Sequence, residues 1–270
     1  MSGPLVALTV AGTDSGGAAG VAADLTTFAA LGAHGACAVT AVTAQDTVGV
    51  RHVVQLTADD VRAQVDAVLE DLPVAVVKTG MLGSAEVAGV VTHLPPGLPL
   101  VVDPVLVATS GAELGDAAVV AAYRDHVLAR ATVVTPNFDE ALRLTGAGPA
   151  DPREDVARAL HALGPAVVLT GGEPDAPTCR DVVVDGRGRV QAVEHPAVPT
   201  TNDHGTGCTF AAALAVHLAR GADLIDAATA AHMFVAAALR TSADWRLGRG
   251  RGPVAHTFAQ PTTNPSSQEA

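Results

Sequence analysis

An alternation constrains this chain more than any single motif. Short apolar runs of β type recur between longer stretches of helical periodicity. The runs Leu5–Ala11, Ala36–Ala41, Val74–Lys78, Leu100–Asp103, Thr132–Thr135 and Ala166–Thr170 read as strands. Several are continuous Val, Leu and Ala, as in strands covered on both faces of a parallel sheet. Ala58–Leu69, Ala85–His93, Asp116–His126 and Asp155–Leu163 read as helices between them. Such an alternation predicts an α/β fold: a doubly wound, mostly parallel central sheet flanked by helices. Beyond Cys179 the pattern changes. Asp181–Val184 and Val190–Val193 flank Asp185-Gly186-Arg187-Gly188, which reads as a C-terminal β-hairpin. Two Ala-rich helices, about Cys208–Ala219 and Leu224–Arg240, follow. No internal repeat or interdomain linker interrupts the pattern, so residues 1–259 are expected to form one domain and the polar run 260–270 a disordered tail.

Composition narrows the function classes. The 270 residues are 49% hydrophobic, enough for a substantial core. Lys and Arg number 16 against 28 Asp and Glu, a net charge of −12 with His neutral. Lys78 is the only lysine, and no basic cluster exists to hold nucleic acid or an anionic membrane. Aromatic residues, at 3%, supply little for base stacking. Cys37, Cys179 and Cys208 fit no disulfide or zinc framework, and Cys37, inside a strand, reads as core. No apolar run reaches the roughly 18 residues of a membrane span, and no basic leader region opens the chain. These features predict a cytoplasmic protein whose partners are small molecules.

In open α/β sheets, ligands bind beyond the carboxyl ends of the strands. Three segments fall there. Gly12-Thr13-Asp14-Ser15-Gly16-Gly17-Ala18-Ala19-Gly20 lets backbone approach a ligand, but it lacks the Gly-Lys-Ser/Thr of a Walker loop. A ligand loop and a plain tight turn both fit it. Thr200 to Thr209, with Gly205 and Gly207 before an apolar helix, offers exposed N–H groups and a helix dipole to developing negative charge. Cys208 would sit in the first helical turn, where a thiol pKa is lowered. A Gly-rich cap with a structural cysteine is the alternative. Asn137 and Glu140, in Thr135-Pro136-Asn137-Phe138-Asp139-Glu140, suit either a hydrated Mg²⁺ or a helix cap. Asp103, ending a buried strand, needs a partner or a metal. His204 stands out among ten dispersed histidines by its place in the Gly-rich turn.

Taken together, these loops resemble the hydroxymethylpyrimidine/phosphomethylpyrimidine kinases of thiamine biosynthesis, within the ribokinase-like superfamily. The likeness runs from about Leu5 to Val254. It is carried by Ala11-Gly12-Thr13-Asp14-Ser15-Gly16-Gly17 with Ala23-Asp24-Leu25, by Thr40 to Val50, and by Lys78-Thr79-Gly80-Met81-Leu82. Val102-Asp103-Pro104-Val105, Thr135-Pro136-Asn137 with Glu140, and His204-Gly205-Thr206-Gly207-Cys208-Thr209 complete it, in order. The resemblance implies transfer of the ATP γ-phosphoryl group, with Mg²⁺, to the hydroxymethyl of an aminopyrimidine and then to its monophosphate. It implies that Gly12, Asp24 and Gln45 receive the pyrimidine, with Met81 and Val105 packing on its ring. Asn137, Thr170, Gly172, Gly205 and Gly207 would meet ATP, and Asp103 and Glu140 the metal. Gly205, Thr206, Gly207 and Cys208 would form the anion hole, with Cys208 taking the hydroxyl proton. A homodimer is also implied, with the apolar helices available as an interface.

Some positions depart from the family pattern. Thr170, in Leu169-Thr170-Gly171-Gly172, stands where relatives usually carry a lysine that reaches the ATP phosphates, a charge that an arginine from elsewhere would have to replace. Thr109 replaces another lysine, and Ala18 and Ala22 replace a Gly and a Gln. A pyridoxal kinase on the same scaffold, and a ligand-binding relative with weak catalysis, are the competing readings.

Overall fold

The computed structural model describes residues 3–108, 111, 113–171 and 177–258. The polar run 260–270, expected to be a tail, and Thr109 and Gly172 lie outside the described residues.

Eight strands form the central sheet: β1 (Val6–Ala11), β2 (His34–Val39), β5 (Val74–Thr79), β6 (Leu100–Val102), β7 (Val133–Val134), β8 (Ala166–Leu169), β9 (Thr178–Val184) and β10 (Val190–Pro196). Their spatial order is β10-β9-β8-β7-β6-β5-β1-β2. The six strands from β8 across to β2 pair in parallel, whereas β9 and β10 are antiparallel, as the expected C-terminal hairpin. β3 (Ala41–Gln45) and β4 (Val50–Gln55) form a separate two-stranded antiparallel ribbon. The expected strand Ala36–Ala41 therefore breaks at Thr40, where the chain leaves the sheet for this ribbon.

Helices cover both faces, which is why the parallel strands are mostly apolar. One face carries α2 (Ala58–Asp71), α3 (Ala85–Val91), α4 (Ala117–Ala122) continued by a π-helical turn Tyr123–Val127 and α5 (Leu128–Arg130), α6 (Phe138–Thr145) and α7 (Arg153–His161). The other carries α1 (Gly20–Ala30), α8 (Thr206–Ala219) and α9 (Leu224–Ser242). α8 is buried from Thr209 to Val216, so its alanines let it lie directly on the sheet. α2 and α6 each begin with a reciprocal capping box, Thr57 with Asp60 and Asn137 with Glu140. The chain runs from β1 outward to β2 and then returns to place β5 on the other side of β1. That reversal opens a crevice above the carboxyl ends of β1 and β5.

Candidate active site

A cavity of about 250 Å³ occupies that crevice. Strand ends of β1, β5, β6, β7 and β8 deliver Gly12, Met81, Asp103, Thr135 and Thr170 to it, and the turn into α8 forms a further wall. Gly12 leaves the room that Met81 fills, since a Cβ at that position would lie 2.4 Å from the Met81 methyl and displace it. Met81 is in turn fixed by its carbonyl, which accepts the Thr40 hydroxyl at 2.6 Å.

The turn into α8 is shaped to leave N–H groups uncovered. Gly205 has φ +89°, and a Cβ there would fall 1.8 Å from the Ala18 carbonyl oxygen. No side chain caps α8. The hydroxyls nearby bond elsewhere, Thr206 to the Asp203 carbonyl at 2.6 Å and Thr209 to the Gly205 carbonyl at 2.7 Å. Thr206, Gly207 and Cys208, which carry the first helical N–H groups, all line the cavity.

Asp14 organises the loop after β1. Its carboxylate accepts the N–H groups of Gly16, Ala18 and Ala19 at 2.8, 3.1 and 2.9 Å. It also lies 3.1 Å from His204 Nε2, which is itself 3.1 Å from the Gln45 amide nitrogen. A ring N–H that donates to a carboxylate cannot also accept. The one ring nitrogen thus lies between Asp14 and Gln45, and its tautomer sets which of them it serves. Burial pushes Asp14 up, but the hydrogen bond from His204 and those from backbone N–H groups outweigh it and hold the carboxyl below the ordinary value.

Beneath the cavity lies a buried charge network. Lys78 Nζ is 2.8 and 3.0 Å from the two Asp24 oxygens and 3.4 Å from Asp103 Oδ2, and Asp24 also accepts the Thr9 hydroxyl at 2.5 Å. Burial works against the ammonium, but Asp24, the Cys208 sulfur and Asp103 outweigh it and raise the Lys78 pKa. Asp103 Oδ2 has no hydrogen-bond partner among the described residues. Glu140 accepts the Asn137 N–H at 3.0 Å and the Leu106 N–H at 3.5 Å. Desolvation and the nearby Asp103 push its pKa up to about 8.

Of the residues singled out in the sequence, Gly12, Gln45, Met81, Asp103, Val105, Asn137, Glu140, Thr170, Gly205, Thr206, Gly207 and Cys208 line this one cavity. Asp24 does not. It has no exposed surface and is committed to Lys78 and Thr9, so it supports the floor and is not in reach of a pyrimidine. Cys208 is correctly placed, but its thiol is not lowered. Desolvation, with Asp103 and Asp24 adding to it, outweighs Lys78 and the Gly20 N–H and pushes the thiol up to about 12. Asp14 and His204 carry more of the geometry than the sequence assigned to them. The signal for Asp14 was an Asp two residues beyond Gly12, followed by the small residues whose N–H groups it gathers. On the Thr170 side, Arg153 Nη2 donates to the carbonyls of Thr170 and Gly171 at 3.0 and 2.6 Å and lies over the Phe138 ring. An arginine thus stands beside the position where a lysine is missing.

Residues 14–255 match the family model described as phosphomethylpyrimidine kinase. A hydroxymethylpyrimidine/phosphomethylpyrimidine kinase of Synechococcus elongatus is 44% identical over 259 residues, covering 94% of this chain and 97% of that one. Among solved structures, the ADP complex of a Bacillus subtilis pyridoxal kinase superposes with a TM-score of 0.84 at 32% identity, covering 94% of this chain and 98% of that one. A phosphomethylpyrimidine kinase of Clostridium difficile gives a TM-score of 0.75 at 32% identity, covering 87% and 99%. The fold is thus shared between pyrimidine and pyridoxal kinases, and the Synechococcus pyrimidine kinase, at 44%, is more similar in sequence than either of these two solved structures, at 32%.

Proposed function

This chain belongs to the phosphomethylpyrimidine kinase family, and from that premise we propose how its cavity transfers the γ-phosphoryl group of ATP to hydroxymethylpyrimidine and to its monophosphate. The observation that carries the reading is the uncapped start of α8, with Cys208 in its first turn, sharing one cavity with Asp103. Phosphoryl transfer asks mainly for alignment and charge neutralisation. The Thr206 N–H is held by the Asp203 carbonyl at 3.2 Å, so the N–H groups of Gly205, Gly207 and Cys208 supply donors for the transferring oxygens, pre-set by the packing of Gly205 on Ala18. The pyrimidine rests against Met81 and Val105 over Gly12, with the Gln45 amide at its polar edge. The nucleotide lies toward Asn137 and Thr170, where Arg153 holds the loop carbonyls.

Magnesium suits the residues present: Asp103 Oδ2 is buried without a hydrogen-bond partner, and Glu140 adds a second hard oxygen donor. When bound, Mg²⁺ neutralises charge on the phosphate oxygens. Lys78 keeps Asp103 oriented toward the cavity. Cys208 takes the substrate hydroxyl proton only as thiolate, a minor form when the thiol pKa is about 12. The large exposed apolar residues include Val42, Val48, Val53 and Val54 of the β3–β4 ribbon and Met233 of α9, surfaces that the expected homodimer could cover. Among the described residues no helix is long and apolar enough to cross a membrane.

The test is incubation of the purified chain with Mg·ATP and, separately, hydroxymethylpyrimidine, its monophosphate and pyridoxal, with products read by mass spectrometry. Phosphorylated pyrimidine, up to the diphosphate, is the expected result. Product from pyridoxal alone overturns the substrate assignment. No product from any of the three makes the chain a ligand-binding relative.

A further inference from the structure

On the sheet face covered by α8 and α9, three ligand-type side chains converge at a place the kinase chemistry does not use. Asp181 lies on β9, His195 on β10 and His232 on α9, and none of them lines the cavity. The antiparallel ladder pairs Asp181 with Val193 and His195 with Cys179, which puts Asp181 and His195 on the same face of the hairpin, two positions apart. His232 reaches them from above and forms a close ion-pair contact with Asp181 Oδ2. One ligand atom from each of the three lies within 4.8 Å of the others. His232 is sandwiched between His195, at 3.9 Å between ring centroids, and Phe210, at 4.4 Å.

The hydrogen bonding of this cluster is incomplete. His195 Nε2 is a buried atom with no hydrogen-bond partner among the described residues, and the buried Asp181 Oδ2 and His232 Nε2 have only each other. Asp181 has no exposed surface and His232 only 7%. Leaving a buried polar atom unsatisfied is costly, and a single ion held by all three side chains would satisfy His195 along with the pair beside it. Two imidazoles and one carboxylate form a donor set of borderline nitrogen ligands with one hard oxygen. It favours Zn²⁺, Co²⁺ or Ni²⁺ over Mg²⁺, with water completing the coordination. The other Asp181 oxygen already accepts the Gly171 N–H at 3.0 Å, a bond that would fix the carboxylate's orientation toward an ion.

We propose that Asp181, His195 and His232 form a structural site for one divalent transition-metal ion, which ties the C-terminal hairpin to α9. Because Asp181 also holds Gly171, the ion would steady the loop after β8 that lines the nucleotide side of the cavity. The proposal does not depend on the substrate assigned above.

The experiment uses the full chain, stripped with a chelator and then titrated with Co²⁺ alone in the presence of excess Mg²⁺, which competes for oxygen sites but poorly for imidazole. One equivalent of Co²⁺ should produce a visible d–d absorption band that added Zn²⁺ removes, and should raise the Tm by a few degrees. His195→Gln, on the partly exposed last strand, should weaken Co²⁺ binding about a hundredfold and abolish the Tm rise, with the metal-free Tm close to wild type. Asp181→Asn should also lose the band. Absence of both band and Tm shift in the wild type overturns the site. A band that survives in both variants overturns it equally, since the ion is then bound elsewhere.

Discussion

The floor and the mouth of the cavity are both built on ion pairs, yet they do different work. At the floor, Lys78 and Asp24 have no exposed side-chain surface, and Asp103 is the second carboxylate on the same ammonium. At the mouth, Arg251 pairs with Asp203, while Arg249 and Arg51 both pair with Asp46, and the arginine side chains are 54–74% exposed. Solvent and salt screen the mouth pairs, so they contribute little to stability. The floor charges were taken out of water at a large cost that only their mutual attraction offsets. Burial, more than pairing, decides which contacts hold the site together.

The largest effect is expected where one floor charge is removed. Lys78→Met keeps the volume but leaves Asp24 and Asp103 buried without a cation. It should destabilise the fold by about 3–5 kcal/mol in chemical denaturation. The double variant Lys78→Met with Asp24→Asn should recover much of that loss, because replacing a whole buried pair is far less costly than orphaning one member. Equal losses in the single and double variants would show that Lys78 matters through packing and not through charge.

Cys208 tests whether the floor network reaches the chemistry. Cys208→Ala should lower kcat by about 10²–10⁴ with substrate affinity nearly unchanged. Wild-type turnover should also rise with pH. Below a thiol pKa of about 12, the thiolate fraction grows tenfold per pH unit, so log kcat should climb with a slope near one from pH 7 to 9. The variant should lose that slope. A flat wild-type profile would remove Cys208 from the base role and leave it as a positioning group for the hydroxymethyl oxygen.

How much of this was legible depends on how local each signal is. Continuous apolar runs such as 74–77 and Leu100–Val102 announce buried parallel strands, because nothing polar interrupts them. The β3–β4 ribbon was missed because Ala41–Gln45 and Val50–Gln55 mix valines with polar residues, and the whole stretch reads as one loop. Its turn is set by Asp46, whose side chain accepts the N–H groups of Val48 and Gly49 at 2.9 and 3.1 Å. Most of the cavity could be read because its residues sit directly at strand ends. The role of Asp24 could not, because which way an α1 side chain faces depends on where β5 places Lys78, far along the chain. The same holds for the Cys208 thiol. Helix position alone argues for a lowered pKa, and only the assembled structure shows that desolvation outweighs it.

Between floor and mouth stands Glu140, nearly buried yet lining the cavity. Its pKa is raised from 4.5 to about 8, so the folded state binds more protons than the unfolded chain between those values. The stability it contributes is therefore full below pH 4.5 and is lost as pH rises through 8. Glu140→Gln preserves the capping box and removes this dependence. Without Mg²⁺, variant and wild type should have similar stability near pH 4, and the variant should be more stable by about 1–3 kcal/mol at pH 9. A difference that does not grow with pH would mean that Glu140 is ionised in the fold throughout.

The smallest effect belongs to the mouth. Arg251→Ala removes the pair with Asp203, whose backbone carbonyl anchors the Thr206 hydroxyl at the entrance to the anion turn. That anchor is a main-chain contact and survives the substitution. The Tm should fall by about 2 °C or less at 0.15 M salt, and the difference should vanish at 1 M, where charges a few ångströms apart are screened. The Lys78→Met loss should persist at the same salt concentration, because ions do not reach a charge with no exposed surface. A salt-insensitive loss in Arg251→Ala comparable to that of Lys78→Met would break the contrast. The carboxylate of Asp203, and not only its carbonyl, would then be part of what shapes the turn into α8.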